Sequence, residues 1–83
     1  MPLHDVRSFE FDSNMKAVDT YRMIGNYLKA NDPGTCAGCV MARSGKVVTV
    51  YTGSLSDVIG SSVCALALDY GATEREEGAD ADA

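Results

Sequence analysis

Apolar residues recur at helical spacing in the first third of the chain, and this is the clearest pattern in the sequence. The apolar positions are Ala17, Val18, Tyr21, Ile24 and Leu28. They predict a helix that begins after Asp12 or Ser13, either of which can act as the N-cap, and that runs to about Ala30. Asn31-Asp32-Pro33-Gly34 then ends the helix, because proline cannot continue its hydrogen bonds.

Shorter alternating patterns predict three strands. Val6 to Phe11 forms the first strand, with Phe9 and Phe11 on the same face. The segments Cys36 to Ala42 and Lys46 to Thr52 form the other two, and together they read as a hairpin. Neither face of this hairpin is strongly polar, so we expect both faces to be at least partly covered.

The hairpin turn is predicted at Ser44-Gly45, because glycine readily adopts the positive φ that tight turns require. With this two-residue loop, Met41 faces Val48 and Cys39 faces Val50.

A second helix is predicted from about Leu55 to Tyr70, with Ser54 as its N-cap and Gly71 as its stop. The expected core stripe consists of Leu55, Ile59, Ser62, Val63, Leu66 and Tyr70. No charged residue occurs between Val58 and Leu68, although a helix on the surface of a small domain normally has a charged outer side. The opposite side, Gly60, Ser61, Cys64 and Leu68, therefore predicts either a partner surface or a close-packing groove within the molecule.

The order strand, helix, hairpin, helix predicts an α+β two-layer sandwich. In this fold a short antiparallel sheet carries both helices on one face. Residues 1–71 form one domain in this interpretation, since the chain of 83 residues is too short for two. Either strand of the hairpin could pair with the first strand.

The net charge of −5 is concentrated in residues 72–83, where five acidic residues accompany only Arg75. We expect this acidic segment to be a flexible tail, because it has no large apolar side chain to bury. The body has nearly balanced charge and no basic cluster, which argues against direct binding to nucleic acid.

The chain has no run of the roughly 20 apolar residues that a membrane helix needs, and its first ten residues do not resemble a signal peptide. The odd number of cysteines, three, favours a reducing compartment over a disulfide-bonded secreted domain. These features predict a cytoplasmic protein that does not bind membranes.

Cys36-Ala37-Gly38-Cys39 is the sharpest local motif, since a C-x-x-C can bind a metal ion or exchange a disulfide. Cys64 could add a third ligand and His4 a fourth. The motif leads into a predicted strand, however, whereas a reactive C-x-x-C usually begins a helix. The simpler interpretation is that both cysteines are small core residues.

His4 is the sole histidine, so a Ser-His-Asp or Cys-His catalytic set would have to be built on this one residue. No nucleotide-binding motif is present either. We therefore expect neither an enzyme nor a cofactor.

The sequence best fits a small non-enzymatic protein-binding module. Its expected role is that of a regulator or inhibitor of the kind carried by phages and mobile elements, acting on a protein or a protein–nucleic-acid complex. The alternative is a metal-binding or thiol-redox protein that uses Cys36 and Cys39. The expected contact with a partner, or with a second copy of the chain, involves Gly60, Ser61, Cys64, Leu68 and Tyr27, although Tyr27 is more simply a core-edge residue.

Overall fold

A sheet and a layer of helices make up the protein in the computed structural model, which describes residues 6–75. The elements in chain order are β1 (Val6–Glu10), α1 (Asn14–Asn31), α2 (Ala37–Val40), β2 (Met41–Ser44), β3 (Val47–Tyr51), a 3₁₀ turn (Thr52–Ser54), α3 (Asp57–Asp69) and β4 (Thr73–Arg75). The predicted α+β fold is confirmed, with α2 and β4 as additions. Between residues 6 and 75, no helix is both long enough and apolar enough to cross a bilayer.

The sheet has the strand order β2-β3-β1-β4, and every neighbouring pair is antiparallel. This order answers the question that the sequence left open, because β1 pairs with β3 and not with β2. Phe9 lies opposite Val48 on one side and opposite Glu74 on the other. The first strand of the chain therefore occupies the interior of the sheet.

One face of the sheet forms the core with both long helices. Its buried side chains are Phe9, Met41, Val48 and Val50, and the helices add Ala17, Ile24, Leu28, Val63, Cys64 and Ala67. All four strand residues point to the same face, because residues directly opposite one another in an antiparallel pair share a face. Both helices therefore lie on that side, as predicted.

The other face of the sheet carries no helix from the described part of the chain. It presents Val6, Ser8, Thr49 and Tyr51, and the Ser8 and Thr49 hydroxyl oxygens lie 3.2 Å apart across the β1–β3 pair. Tyr51 is 41% exposed. Val47 and Thr49 on this face are partly buried and Ser8 is buried, which agrees with the expected partial cover of both faces of the hairpin.

The start of α1 follows the predicted capping. The Lys16 backbone N–H donates to the Ser13 side-chain oxygen at 3.2 Å, which satisfies one of the free N–H groups of the first turn. Asp12 and Lys16 form an exposed i,i+4 ion pair at 3.8 Å. The helix ends at Asn31, one residue beyond the predicted end.

The predicted hairpin exists, but its loop lies one residue later. Gly45 and Lys46 form the turn, so that Met41 pairs with Val50 and not with Val48. Gly45 has a φ of 59°, which places glycine at the first central position of the turn, as the type II′ geometry requires. The sequence prediction had put this glycine at the second position.

Cys36 to Val40 do not extend the hairpin as predicted. Residues Ala37–Val40 form the single turn α2, and the Cys39 backbone N–H donates to the Cys36 carbonyl at 2.9 Å. The adjacent residues Val40 and Met41 are both buried, which fits a helical turn in place of the predicted strand. A regular strand in a two-layer fold would point these neighbours to opposite faces.

The second long helix, α3, begins two residues later than predicted. Ser56 is its N-cap, and the side-chain oxygen accepts from the Ile59 backbone N–H at 3.2 Å. The predicted cap, Ser54, instead ends the 3₁₀ turn that connects β3 to the helix. Two serines two residues apart made the choice of cap ambiguous in the sequence.

The acidic tail was predicted to begin at residue 72, and this is wrong for Thr73–Arg75, which form β4. Glu74 explains the difference, because its carboxylate accepts two hydrogen bonds from the Arg7 guanidinium. Glu74, which the acidic composition assigned to the tail, is therefore the ion-pair partner of Arg7 on β1. The predicted flexibility of residues 76–83 lies outside the described residues, as does His4.

Candidate functional site

The predicted partner surface on α3 divides between the interior and the outside of the protein. Gly60 and Cys64 are buried, and the Cys64 side chain is only 4% exposed. Ser61 and Leu68 are exposed. These four residues therefore do not form one exposed face. The prediction is corrected for Cys64, which belongs to the core, and for Gly60, which is buried beside Thr52.

The side chains that α3 buries are fewer and smaller than those that the sequence predicted. Its buried residues are Gly60, Val63, Cys64 and Ala67, whereas Ile59 and Leu66 are only partly buried. Small side chains let this helix approach its neighbours closely, and the predicted stripe of larger residues was rotated away from the true inward direction. Of that stripe only Val63 is fully buried.

The outward side of α3 carries four exposed residues at one helical spacing: Val58, Ser61, Ala65 and Leu68. We call these four residues the outer stripe. Their i, i+3, i+7, i+10 spacing places them along one line of the helix surface. Val58 is 73% exposed and Leu68 is 45% exposed. These two larger apolar side chains lie at the ends of the stripe, and the short side chains of Ser61 and Ala65 lie between them. Asp57 and Asp69 lie just beyond the two ends.

Tyr27 lies elsewhere, on α1, where it is partly buried and packs against the core. Its place agrees with the simpler interpretation as an amphipathic residue at the edge of the core. Tyr27 and the outer stripe lie on different helices. A role of Tyr27 in partner binding stays a prediction.

Cys64 lies beside the ion pair that joins β1 to β4. Arg7 Nε and Nη2 each donate to a Glu74 carboxylate oxygen at 2.6 Å, so the pair is bidentate. The Arg7 guanidinium also lies 5.9 Å from the centre of the Phe9 ring. Burial raises the pKa of the Cys64 thiol, with the nearby Arg7 charge acting in the opposite direction. Cys64 is therefore a neutral core thiol.

An open cleft of about 380 Å³ lies between the 3₁₀ turn and the first turn of α3. Its lining residues are Arg7, Thr52, Gly53, Leu55, Ser56, Asp57, Gly60 and Ser61. Its two charged residues already have structural roles, because Arg7 holds Glu74 and Asp57 lies in the first turn of α3, where a negative charge is favourable. Among the described lining residues there is no histidine or cysteine.

The C-x-x-C motif is at the surface, in contrast to Cys64. Cys36 and Cys39 are both free and exposed, and Cys36 is the residue immediately before α2. Hydrogen bonding from the Cys39 thiol, followed by that from the Cys39 backbone amide, lowers the pKa of Cys36 below its ordinary value. The pKa of Cys39 is raised, because its thiol donates that hydrogen bond and faces the charge on Cys36.

The structure does not support Cys36, Cys39 and Cys64 as a shared metal site. Within the range 6–75, no three histidine, cysteine or acidic side chains come together closely enough to hold an ion. Cys64 lies in the core next to Arg7, whereas Cys36 and Cys39 are exposed. Adding Cys64 to the ligand set was therefore wrong, because sequence alone could not show that the thiols lie in different environments.

Comparison with known proteins gives no relative from which a function could be transferred. No protein-family model, curated protein or solved structure matches this chain. The functional argument therefore rests on the outer stripe and on the two exposed cysteines.

Proposed function

We propose that this chain is a small non-enzymatic protein-binding module and that the outer stripe of α3 is its contact surface. The observation that supports the proposal is the exposure of Val58 and Leu68 on a helix face without a charged side chain. A helix that covers a core on one side normally presents charged and polar residues to water on the other. Here the outward side has the composition of an interface centre, where charged residues are depleted.

The shape of the outer stripe fits a flat or helical partner surface. Ser61 and Ala65 have short side chains in the middle, so another backbone can approach α3 closely there. Val58 and Leu68 at the two ends can then insert into apolar pockets of the partner. Such bracketing anchors are typical of helix recognition, in which residues at helical spacing carry most of the binding energy.

The charges around the outer stripe favour a different protein over a second copy of this chain. A symmetric antiparallel pairing of two α3 helices that placed Val58 opposite Leu68 would also place Asp57 opposite Asp69. Like charges at such positions oppose association. A partner with basic residues at the rim would instead meet both aspartates, and the net charge of −5 would assist the encounter.

By covering a basic-rimmed apolar site, the module would act as a regulator or inhibitor of the protein that bears it. A basic surface is also what a protein uses to hold nucleic acid, so a subunit of a protein–nucleic-acid complex is a fitting partner. The module itself would touch the protein component.

Site-specific photo-cross-linking in cells of the source organism tests the proposal. The photoreactive residue replaces Ala65 in the outer stripe or, as the matched control, Asn26 on the exposed side of α1. We expect a discrete cross-linked protein from position 65 only, and we expect Val58→Lys with Leu68→Lys to remove it. Met15→Lys, at an equally exposed apolar residue of α1, should leave the cross-link unchanged.

Two results would contradict the proposal. Identical cross-linking patterns from positions 65 and 26 would show that the outer stripe is an ordinary surface. A homodimer in equilibrium sedimentation that Leu68→Lys dissociates would replace the basic partner with a second copy of this chain.

A further inference from the structure

The turn formed by Cys36 and Cys39 has the geometry of a reversible dithiol. The Cys39 backbone N–H donates to the Cys36 carbonyl at 2.9 Å, which closes the chain between the two cysteines. In a hydrogen-bonded turn of this size the first and fourth Cα atoms are less than about 7 Å apart, and a disulfide needs about 4.4–6.8 Å. The turn therefore brings the two cysteines close to the separation that a disulfide needs.

Access separates this pair from the third cysteine. Cys36 and Cys39 are exposed, so a second molecule can reach either sulfur, whereas Cys64 is buried. Thiol–disulfide exchange requires a thiolate that can approach the target disulfide along its S–S axis. Only the exposed pair meets this requirement.

The two sulfurs are also chemically unequal. The pKa of Cys36 is lowered by hydrogen bonding from the Cys39 thiol and from the Cys39 and Gly38 backbone amides, and the pKa of Cys39 is raised. Helix α2 has only four residues, so its dipole is not invoked for this difference. Of the two thiols, Cys36 is thus the one that loses its proton more readily.

We propose that Cys36 and Cys39 form a dithiol–disulfide couple that exchanges with the disulfides of low-molecular-weight thiols. The Cys36 thiolate attacks one sulfur of R–S–S–R, the S–S bond breaks, and one RS⁻ leaves with the electron pair and takes up a proton. Cys39 then loses its proton and attacks the Cys36 sulfur, which releases the second RS⁻. One disulfide is reduced to two RSH while the two cysteines are oxidised to one disulfide.

The first test uses the unmodified protein with oxidised glutathione as the probe. Intact-mass spectrometry should show the loss of two hydrogens, and peptide mapping should place the new disulfide between Cys36 and Cys39. Reduced glutathione in excess should reverse the change. A protein that keeps both thiols, or that instead forms disulfide-linked dimers, overturns the proposal.

The second test separates the roles of the two cysteines. Cys39→Ser keeps a hydroxyl that can donate to Cys36, and it should accumulate a mixed disulfide with one glutathione. Cys36→Ser should react several-fold more slowly, because the variant keeps only Cys39 and lacks the thiol whose pKa is lowered. Cys64→Ala is the matched control and should react like the unmodified protein. Equal rates for Cys36→Ser and Cys39→Ser would refute the assignment of Cys36 as the nucleophile.

This couple does not depend on the outer stripe of α3. Val58→Lys with Leu68→Lys should leave the reaction with glutathione unchanged, and Cys36→Ser should leave the cross-link at position 65 unchanged. Failure of one proposal is thereby distinguishable from failure of the other.

Discussion

The two long helices, α1 and α3, lie in the same layer and differ mainly in what they present to the outside. Both bury a stripe against the sheet, with Ile24 and Leu28 central in α1 and Val63 and Ala67 in α3. The outside of α1 carries charged residues, among them Lys16, which pairs with Asp12. The outside of α3 carries none between Val58 and Leu68.

This difference shows which features of the helix layer are needed for folding and which are not. The same layer of the same domain accommodates a charged outer face in α1, so an uncharged outer face is not a condition of this fold. The outer stripe of α3 is therefore the part of the helix layer that the core does not explain. The proposed function assigns this stripe to partner contact.

Truncating the inward side chains should have the largest effect and should affect both helices alike. Ile24→Ala should lower the free energy of unfolding by about 2–5 kcal/mol, and Val63→Ala by about 2–3 kcal/mol, because each removes fully buried carbon atoms and leaves a cavity. Urea denaturation measures both. The outward controls Met15→Ala and Val58→Ala should change it by about 0.5 kcal/mol or less. A loss at Val58 as large as that at Val63 would show that the outer stripe is part of the core.

The ion pair beside the inward face of α3 should make stability depend on pH in the acid range. Hydrogen bonding from Arg7 lowers the pKa of Glu74, so the folded state favours the ionised carboxylate. The stabilisation is complete above the ordinary glutamate pKa of about 4.3, and it disappears as the pH falls through the lower pKa of the folded state.

Glu74→Gln should therefore cost about 1 kcal/mol at neutral pH, at the upper end for a partly exposed pair because the geometry is bidentate. The difference from the unmodified protein should shrink below about pH 4 in urea titrations at successive pH values. Glu10→Gln, an exposed residue on the opposite face of the sheet, is the control. A difference that persists unchanged at low pH would contradict this role for the Glu74 charge.

The smallest effect is expected at one interior glycine in each helix. A Cβ at Gly25 would lie 3.7 Å from Met41 Cε, and one at Gly60 would lie 3.7 Å from Thr52 Cβ, both ordinary contacts. Gly25→Ala and Gly60→Ala should each stabilise the protein by about 0.5–1 kcal/mol, because alanine loses less conformational entropy on folding. Thermal denaturation measures the gain. Gly45→Ala should destabilise instead, since its φ of 59° suits glycine. Stabilisation at only one helix would show that the other glycine is needed for close packing.

The sequence predicted those parts of the fold that local chemistry determines. The Ser13 cap, the spacing of Ile24 and Leu28, and the presence of Gly45 in a turn are all local signals, and α1 and the hairpin were found from them. The position of the turn was wrong by one residue, because either neighbour of Gly45 can complete a two-residue loop. That single step changes the strand register by two residues.

What the sequence could not predict depends on contacts between distant residues. Glu74 resembles its acidic neighbours until Arg7 is seen opposite it, so β4 had no local signal. The inward face of α3 was misjudged because burial there follows close approach of small residues and not side-chain size. The environment of Cys36 was missed because a strand was expected where the chain makes a helical turn.

The position of β1 within the sheet also determines when the protein can fold. The contacts of this strand lie far along the chain: Ser8 meets Thr49, 41 residues later, and Arg7 meets Glu74, 67 residues later. Contacts of such long sequence separation slow folding, because a large loop must close before any of them forms. The pairing of β1 with β3 closes a shorter loop than the pairing of β1 with β4. The β1–β3 pair is therefore expected to form before β4 joins the other edge of β1.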